Sequence, residues 1–196
     1  NKGGDVMTPN PLRDFVVEMT GLSDRETEEA RLFHEATPLM ADLIRRPDWL
    51  PRAYAQPSPE RYQQYLLYCD PLQRFSLVSF VWGPGQQTPV HDHTTWGLIG
   101  VLEGAEEAQK YALIDGIWRP QAEEEMLEPG GLDAVSPTIG DVHRVRNAWQ
   151  DRVSISIHLY GGNIGQIDRH VFDPQNGQVK PFRSGYALDS LPNIWV

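Results

Sequence analysis

The sequence has almost no cysteine, since Cys69 is the only one in 196 residues. A lone cysteine excludes an intramolecular disulfide and the paired-cysteine motifs of zinc and redox sites, so a reducing cytoplasm is the expected location. The chain also lacks a run of about 20 apolar residues, and it does not open with a basic segment followed by an apolar one. Neither a membrane span nor a secretory signal is therefore expected.

Positive charge is scarce as well, with 17 Lys and Arg against 27 Asp and Glu and a formal net charge of −10. This balance opposes binding to a phosphate backbone, and no basic run with interleaved aromatic residues offsets it, so we expect no nucleic-acid partner. A hydrophobic content of 40% suffices for one core, and we predict a single domain over residues 1–196. Residues 1–5, ahead of Met7, are expected to be a processing remnant outside the fold.

The N-terminal part of the chain has helical periodicity. Apolar positions within residues 11–19 predict a short helix that is capped by Asn10. Ser23 stands three residues before Glu26, a spacing that predicts a capping box at the start of a second helix. Because proline breaks the hydrogen-bond ladder of a helix, Pro38 is expected to interrupt this second helix.

From residue 74 onward the pattern changes to short runs rich in β-branched and aromatic residues. We predict strands over residues 74–82, 96–102, 105–114, 132–136, 143–147, 153–160 and 167–172. Short strands at near-regular spacing, punctuated by Gly and Pro, indicate a β-sandwich or barrel. The predicted barrel core covers about residues 72–175 and the helical region about residues 8–70, in which 61–68 has no assigned secondary structure. The acidic run at 123–125 is interpreted as a solvated loop.

Two histidines of the segment His91-Asp92-His93 point to one side if the segment is extended, because the side chains of a strand alternate between its faces. A third imidazole from a neighbouring strand, such as His143, would complete a facial set of three nitrogen ligands. Imidazole suits zinc, copper, iron and nickel, so the ligand type alone does not choose among these metals.

The predicted strand over residues 153–160 has one polar and one apolar face. One interpretation is an edge strand whose polar face contacts water. The other is a relay in which Ser156 orients His158 and His158 orients Tyr160, so that the phenol is aimed at a reacting group. In the second case the polar face lines the barrel interior and the apolar face packs under the N-terminal helices.

Three motifs follow one another along the chain: Gly85 with His91-x-His93, Gly140-x-x-His143, and Ser156-x-His158-x-Tyr160. The first two resemble the half-motifs of cupins. All three together resemble the cysteine dioxygenase family of thiol dioxygenases, cupins with mononuclear non-haem iron(II), over about residues 62–172. The resemblance implies a mainly β cupin double-stranded β-helix (jelly-roll barrel) with N-terminal α-helices and one iron(II) per chain. The implied iron ligands are His91, His93 and His143, and the implied outer-sphere triad is Ser156, His158 and Tyr160.

Gly97 is one departure from the family pattern. Many cupins have a fourth, carboxylate ligand at this place, and the animal members of the family have a cysteine that crosslinks to the active-site tyrosine. The resemblance therefore implies a three-histidine site without a protein carboxylate and an unmodified Tyr160. Three neutral imidazoles would leave the charge of a divalent iron uncompensated, which favours direct binding of a thiolate.

A second departure concerns the substrate carboxylate, which the animal enzymes hold with the arginine of a Tyr-x-Arg segment. Here Tyr62 is followed by Gln64 at the arginine position. The sequence resembles a bacterial branch that has glutamine there and uses a later arginine as the carboxylate clamp, best matched by Arg169. On the residues alone, a surface ion pair of Arg169 with Asp168 or Asp173 and a helix-surface position for Gln64 stay open.

The activity implied by the resemblance is addition of both atoms of O2 to the sulfur of a small carboxylate thiol, which gives a sulfinic acid. Members of the bacterial branch often prefer 3-mercaptopropionate, so this thiol is favoured over L-cysteine as the substrate. A zinc cupin without oxidative chemistry and a cupin that only binds a metal or a small ligand are the alternatives. The oligomeric state stays open.

Overall fold

The computed structural model describes residues 9–196 and starts with two helices. Helix α1 spans Pro11–Arg25 and helix α2 spans Glu29–Leu43. The predicted cap is confirmed, since the Asn10 carboxamide oxygen accepts a 3.0 Å hydrogen bond from the backbone N–H of Arg13. The prediction for residues 1–5 lies outside the described residues.

The predicted boundary between the helices is wrong. Ser23 lies in the last turns of α1, because the buried apolar stripe of this helix runs on to Leu22 and its C-cap is Glu26. Instead of closing a capping box, the Glu26 carboxylate accepts hydrogen bonds from the next two backbone N–H groups, at 2.9 and 2.8 Å. Pro38 does not interrupt α2 either. The buried stripe continues past the proline to Leu43, and its burial offsets the lost backbone hydrogen bond.

Two antiparallel sheets follow the helices, and together they confirm the predicted mainly β cupin architecture. The strands are β1 (Gln63–Cys69), β2 (Ser76–Trp82), β3 (Val90–His91), β4 (Gly97–Glu103), β5 (Glu106–Ile114), β6 (Ile117–Leu127), β7 (Leu132–Val135), β8 (His143–Asn147), β9 (Ser154–Tyr160), β10 (Arg169–Phe172) and β11 (Val179–Phe182). The first sheet has the order β1-β2-β9-β4-β7 and the second β11-β10-β3-β8-β5-β6.

Strand β9 lies at the centre of the first sheet, hydrogen-bonded to β2 on one side and β4 on the other. All seven of its residues are buried, so the edge-strand interpretation is wrong. Its apolar face, Ile155, Ile157 and Leu159, belongs to the core cluster that also contains the buried faces of both helices. Its other face lies toward the second sheet, where Tyr160 packs in a cluster with Val145 of β8. The strand therefore separates the hydrophobic core from the barrel interior.

Three predicted boundaries need correction. Strand β1 falls within the predicted helical region, and β11 extends the second sheet beyond the predicted core end at residue 175. The acidic run at 123–125 belongs to strand β6, where Glu124 forms ion pairs with Arg144 and Arg146 of β8. The single-domain organisation stays a prediction. Within residues 9–196, no helix has the length and apolar character needed to cross a membrane.

Candidate metal centre

The three histidines that the sequence predicts as metal ligands meet in the barrel interior. His91 ends β3 and lies directly opposite His143 of β8, and His93 follows two residues after His91. The ring centroids are 4.7–4.9 Å apart. One candidate ligand atom from each residue lies within 4.8 Å of the others, and all three side chains are buried. This spacing fits three ligands around one ion.

Hydrogen bonds orient two of these imidazoles. His91 Nδ1 lies 2.9 Å from the carbonyl oxygen of Pro89. His93 Nδ1 lies 3.0 Å from the carbonyl oxygen of Asp141 and 3.1 Å from its carboxylate. Since a carbonyl oxygen can only accept, each Nδ1 carries the proton and leaves Nε2 free to bind a metal. The Asp141 carboxylate also accepts the backbone N–H groups of His93 and Thr94, at 3.1 and 2.8 Å.

Burial favours the neutral, ligand-competent form of the imidazoles. It lowers the pKa of His91 well below the ordinary value of 6.5, and the neighbouring His93 contributes to this shift. The pKa of His143 is lowered in the same way by burial and then by the two other imidazoles. His143 Nδ1 is buried and finds no hydrogen-bond partner within residues 9–196. Buried imidazoles that resist protonation can serve as nitrogen ligands of a divalent transition metal.

The polar face of β9 forms a continuous hydrogen-bonded chain beside this cluster. His158 lies 2.8 Å from Ser156 Oγ through Nε2 and 2.8 Å from Tyr160 Oη through Nδ1. Trp82 donates its indole N–H to Ser156 Oγ at 3.2 Å, and the Phe80 ring stacks on the His158 ring at 4.0 Å. The predicted relay geometry is therefore present, and neighbouring rings hold it in place.

Tyr160 is 1% exposed, and burial raises its pKa, so the phenol keeps its proton at neutral pH. Its ring lies 5.7 Å from the ring of His93. Gly97 is the residue directly opposite Tyr160 in the neighbouring strand. A Cβ atom at Gly97 would lie 2.7 Å from Tyr160 Cδ1. The glycine is therefore a steric requirement for this position of the phenol ring.

Arg169 is buried rather than at the surface, with 3% of its area exposed. Its guanidinium carbon lies 4.7 Å from the centre of the Phe182 ring, and its Nε finds no hydrogen-bond partner within residues 9–196. Asp168 pairs with the exposed Arg183 instead, so the surface ion pair of Arg169 with this aspartate is not formed. Burial lowers the pKa of Arg169, but an arginine remains charged at neutral pH. A buried cation without an anionic partner is poised to bind an anion.

Gln64 lies on strand β1, so its interpretation as a helix-surface amide is wrong. It is 8% exposed, and its Nε2 donates to Ser184 Oγ at 3.1 Å. Gln64 and Arg169 both line a cavity of about 190 Å³ together with two of the three clustered histidines and two of the three relay residues. The predicted residues at the wall of this cavity are His91, His143, His158, Tyr160, Arg169 and Gln64.

Sequence reasoning did not assign several other residues around the site. Phe182 and Ser184 reach the cavity from the C-terminal part of the chain, and no motif marked them. Asp92 is another such residue, since no motif assigns a role to it. Its carboxylate accepts the backbone N–H of His170 at 2.7 Å and lies 2.8 Å from His170 Nδ1. This contact ties the histidine segment to β10, the strand that carries Arg169.

The two-sheet barrel and its interior cluster of three histidines define a cupin with a candidate metal site. A family model described as cysteine dioxygenase type I matches residues 7–173, and the chain belongs to this family. Cysteine dioxygenase type 1 from Danio rerio is 25% identical over 166 residues, which cover 80% of this chain and 77% of the relative. The bovine enzyme is 25% identical over 122 residues, 59% of this chain and 60% of that protein. The human enzyme is 27% identical over 107 residues, 53% of this chain and 52% of that protein.

Solved structures with a similar fold have lower sequence identity. A conserved protein with a double-stranded β-helix domain from Klebsiella pneumoniae has a TM-score of 0.44 and 18% identity, over 66% of this chain and 90% of that chain. A protein from Thermus thermophilus has a TM-score of 0.44 and 21% identity, over 57% of this chain and 92% of that chain.

Proposed function

We propose that this protein is an iron(II)-dependent thiol dioxygenase that adds both atoms of O2 to the sulfur of a small carboxylate thiol. The product is a sulfinic acid, and no external reductant is needed because both oxygen atoms go to the same sulfur. One observation carries this proposal: two members of a buried three-histidine cluster, His91 and His143, line a cavity with a buried arginine that has no anionic partner among the described residues.

The proposed iron ligands are His91, His93 and His143, with one iron(II) per chain. The iron would supply the positive charge and the redox chemistry for the reaction between a thiolate and dioxygen. Imidazole ligands contribute no negative charge, and burial and the neighbouring imidazoles lower the pKa of His91 and His143, which favours their neutral form. An anionic thiolate therefore meets an uncompensated divalent charge in this site.

Arg169 is the proposed clamp for the substrate carboxylate. A guanidinium can grip a carboxylate with two parallel hydrogen bonds, each about twice as strong as a bond between neutral groups. Its guanidinium carbon lies over the Phe182 ring, and this cation–π contact helps to hold the group at the cavity wall. Gln64 is proposed to contribute through the same cavity wall, where its amide supplies hydrogen bonds but no charge.

Tyr160 and its two supporting residues are the proposed catalytic group. The phenol remains protonated at neutral pH and can donate a hydrogen bond into the cavity. His158 contacts the phenol oxygen at 2.8 Å and is itself held by Ser156, so the phenol has a defined direction. A fixed donor avoids reorganisation during the reaction.

We propose 3-mercaptopropionate as the preferred substrate over L-cysteine, and the cavity lining supports this proposal. The described residues that line it include no aspartate or glutamate, so a substrate ammonium group finds no carboxylate partner there. 3-Mercaptopropionate has only a thiol and a carboxylate, which match the metal cluster and Arg169. L-Cysteine is the alternative substrate.

The direct test is oxygen consumption by the iron(II) protein with 3-mercaptopropionate and L-cysteine side by side. We expect uptake of one O2 per sulfinate formed, with the higher kcat/KM for 3-mercaptopropionate. Metal analysis of the active protein is the control for the zinc alternative. Stoichiometric zinc with no oxygen uptake on addition of either thiol would reject the dioxygenase proposal.

A further inference from the structure

Glu106 is a buried carboxyl group that the proposed reaction does not use. It begins β5, is 1% exposed, and its Oε1 finds no hydrogen-bond partner within residues 9–196. The next residue, Glu107, faces the other way and accepts a 2.7 Å hydrogen bond from Arg146. Neighbouring glutamates on one strand thus lie in opposite environments, and among the described residues only Glu107 forms an ion pair. Burial of this kind strongly disfavours a carboxylate.

The groups next to Glu106 connect it to the relay on β9. Hydrogen bonding from the side chains of Ser156 and Trp82 favours the charged form of its carboxyl and opposes the rise in its pKa. Trp82 also donates to Ser156 Oγ, and Ser156 is the residue that contacts His158. A continuous path of polar atoms therefore runs from Glu106 through Ser156 and His158 to the Tyr160 hydroxyl.

Counting donors and acceptors shows that this path has two self-consistent directions. Burial lowers the pKa of His158 well below its ordinary value, so the ring is neutral and has one N–H and one acceptor nitrogen. With a charged Glu106, Ser156 donates to the carboxylate and accepts the N–H of His158 Nε2. His158 Nδ1 must then accept the hydroxyl proton of Tyr160.

With a neutral Glu106 every hydrogen bond in the path reverses. The carboxyl O–H donates to Ser156, Ser156 donates to His158 Nε2, and His158 Nδ1–H donates to the phenol oxygen. The Tyr160 O–H is then free to point into the cavity. In both directions Ser156 Oγ has one donor and two acceptor interactions, including the Trp82 N–H, so its hydrogen-bonding capacity is filled.

We infer that Glu106 is a positioning residue whose protonation sets the direction of the relay and thereby decides whether Tyr160 offers its O–H to the substrate. This inference rests on the proposed function, because it assigns a state to the phenol of that same site. The neutral form of Glu106 is the one that supports a donor Tyr160. Oxygen consumption is therefore expected to fall as Glu106 ionises.

Glu106 is expected to ionise within the pH range of ordinary measurements. Burial raises the pKa of Glu106 to about 7, against the smaller opposing effects of the Ser156 and Trp82 hydrogen bonds. The titratable side chains that face the interior around it are His158 and Tyr160 on β9 and His143 on β8. The charged groups of the outer faces are paired there: Glu107 of β5 and Glu124 of β6 with Arg146, and Glu124 also with Arg144.

The test determines the direction of the hydrogen bonds in the relay and does not depend on catalytic activity. The 15N chemical shifts of the His158 ring would be recorded in the full chain, with and without added zinc(II), from about pH 5.5 to about pH 9. We expect the ring proton to lie on Nδ1 at low pH and on Nε2 at high pH, with a midpoint near pH 7. Glu106→Gln should abolish this midpoint, and Glu107→Gln, the matched control on the same strand, should retain it.

A single His158 tautomer across the whole range, or an unchanged midpoint in Glu106→Gln, would overturn the inference. If Glu106→Gln does not fold, the wild-type titration still decides, because an unchanging tautomer is sufficient to reject it. The dioxygenase proposal fails separately: absence of oxygen uptake with both thiols leaves the tautomer measurement unaffected. In the active enzyme, kcat should decline as pH rises through about 7, and this decline should be lost in Glu106→Gln.

Discussion

Replacing Arg169 with alanine separates carboxylate recognition from sulfur chemistry. Arg169 is 3% exposed and has no anionic partner among the described residues, so a bound carboxylate would be desolvated and held by charge-assisted hydrogen bonds. Truncating one partner of a buried charge pair costs about 2–5 kcal/mol. At about 1.36 kcal/mol per tenfold change in rate, kcat/KM for 3-mercaptopropionate should fall roughly 30- to 5000-fold, mainly through KM.

The comparison substrate is a thiol of similar length without a carboxylate, such as 1-propanethiol. For this thiol the same substitution should change kcat/KM little, because the arginine has nothing to bind. Oxygen-electrode measurements on both thiols give the ratio directly. Arg183→Ala is the matched control, since Arg183 is exposed, pairs with Asp168 and follows β11. An equal loss for both thiols in Arg169→Ala, or the same selective loss in Arg183→Ala, would refute the clamp.

Four further predictions concern the metal ligands, the phenol and the buried histidines. His93→Ala should abolish stoichiometric iron binding, and full iron content by metal analysis would reject the ligand assignment. Intact mass should show no loss of two hydrogens at Tyr160, and Gly97→Ala should lower Tm because its Cβ would lie 2.7 Å from the phenol ring, at a cost of about 1–3 kcal/mol; an unchanged Tm contradicts this. Because the pKa values of His143 and His158 are lowered, the unfolded chain binds protons that the folded chain does not below about pH 6.5. The raised pKa of Glu106 acts in the opposite direction over this range, but the two histidines outweigh one carboxyl group. Tm of the metal-free protein should therefore fall between about pH 7 and about pH 5, and a constant Tm would refute the burial argument.

The sequence could predict which site residues share one face of a strand, because side chains alternate between the two faces. A period of two places Ser156, His158 and Tyr160 on one face whatever the partner strands are, and the structure has them in hydrogen-bond contact. The same rule put His91 and His93 on one side. These predictions succeeded because they depend on local geometry alone.

Tertiary context decides the features that the sequence could not predict. The adjacent residues Glu106 and Glu107 cannot be distinguished from the sequence, and only the packing of the two sheets makes Glu106 a buried carboxyl group. The acidic run at 123–125 forms a strand because its side chains find arginines on β8, which no local propensity records. Ser23 and Pro38 failed as helix boundaries because the buried stripes of the helices continued through them.

The contact between Asp92 and His170 has a consequence for engineering this chain. Asp92 lies between two proposed metal ligands, and its carboxylate accepts a 2.7 Å hydrogen bond from the backbone of β10, the strand that carries Arg169. A change at Asp92 is therefore expected to affect both metal binding and recognition of the substrate carboxylate. Redesign of the specificity for another thiol should therefore spare Asp92 and vary Gln64 and Ser184, which line the cavity and form a hydrogen bond with each other. Changes at Gln64 and Ser184 can alter which substrates fit without changing the proposed metal ligands.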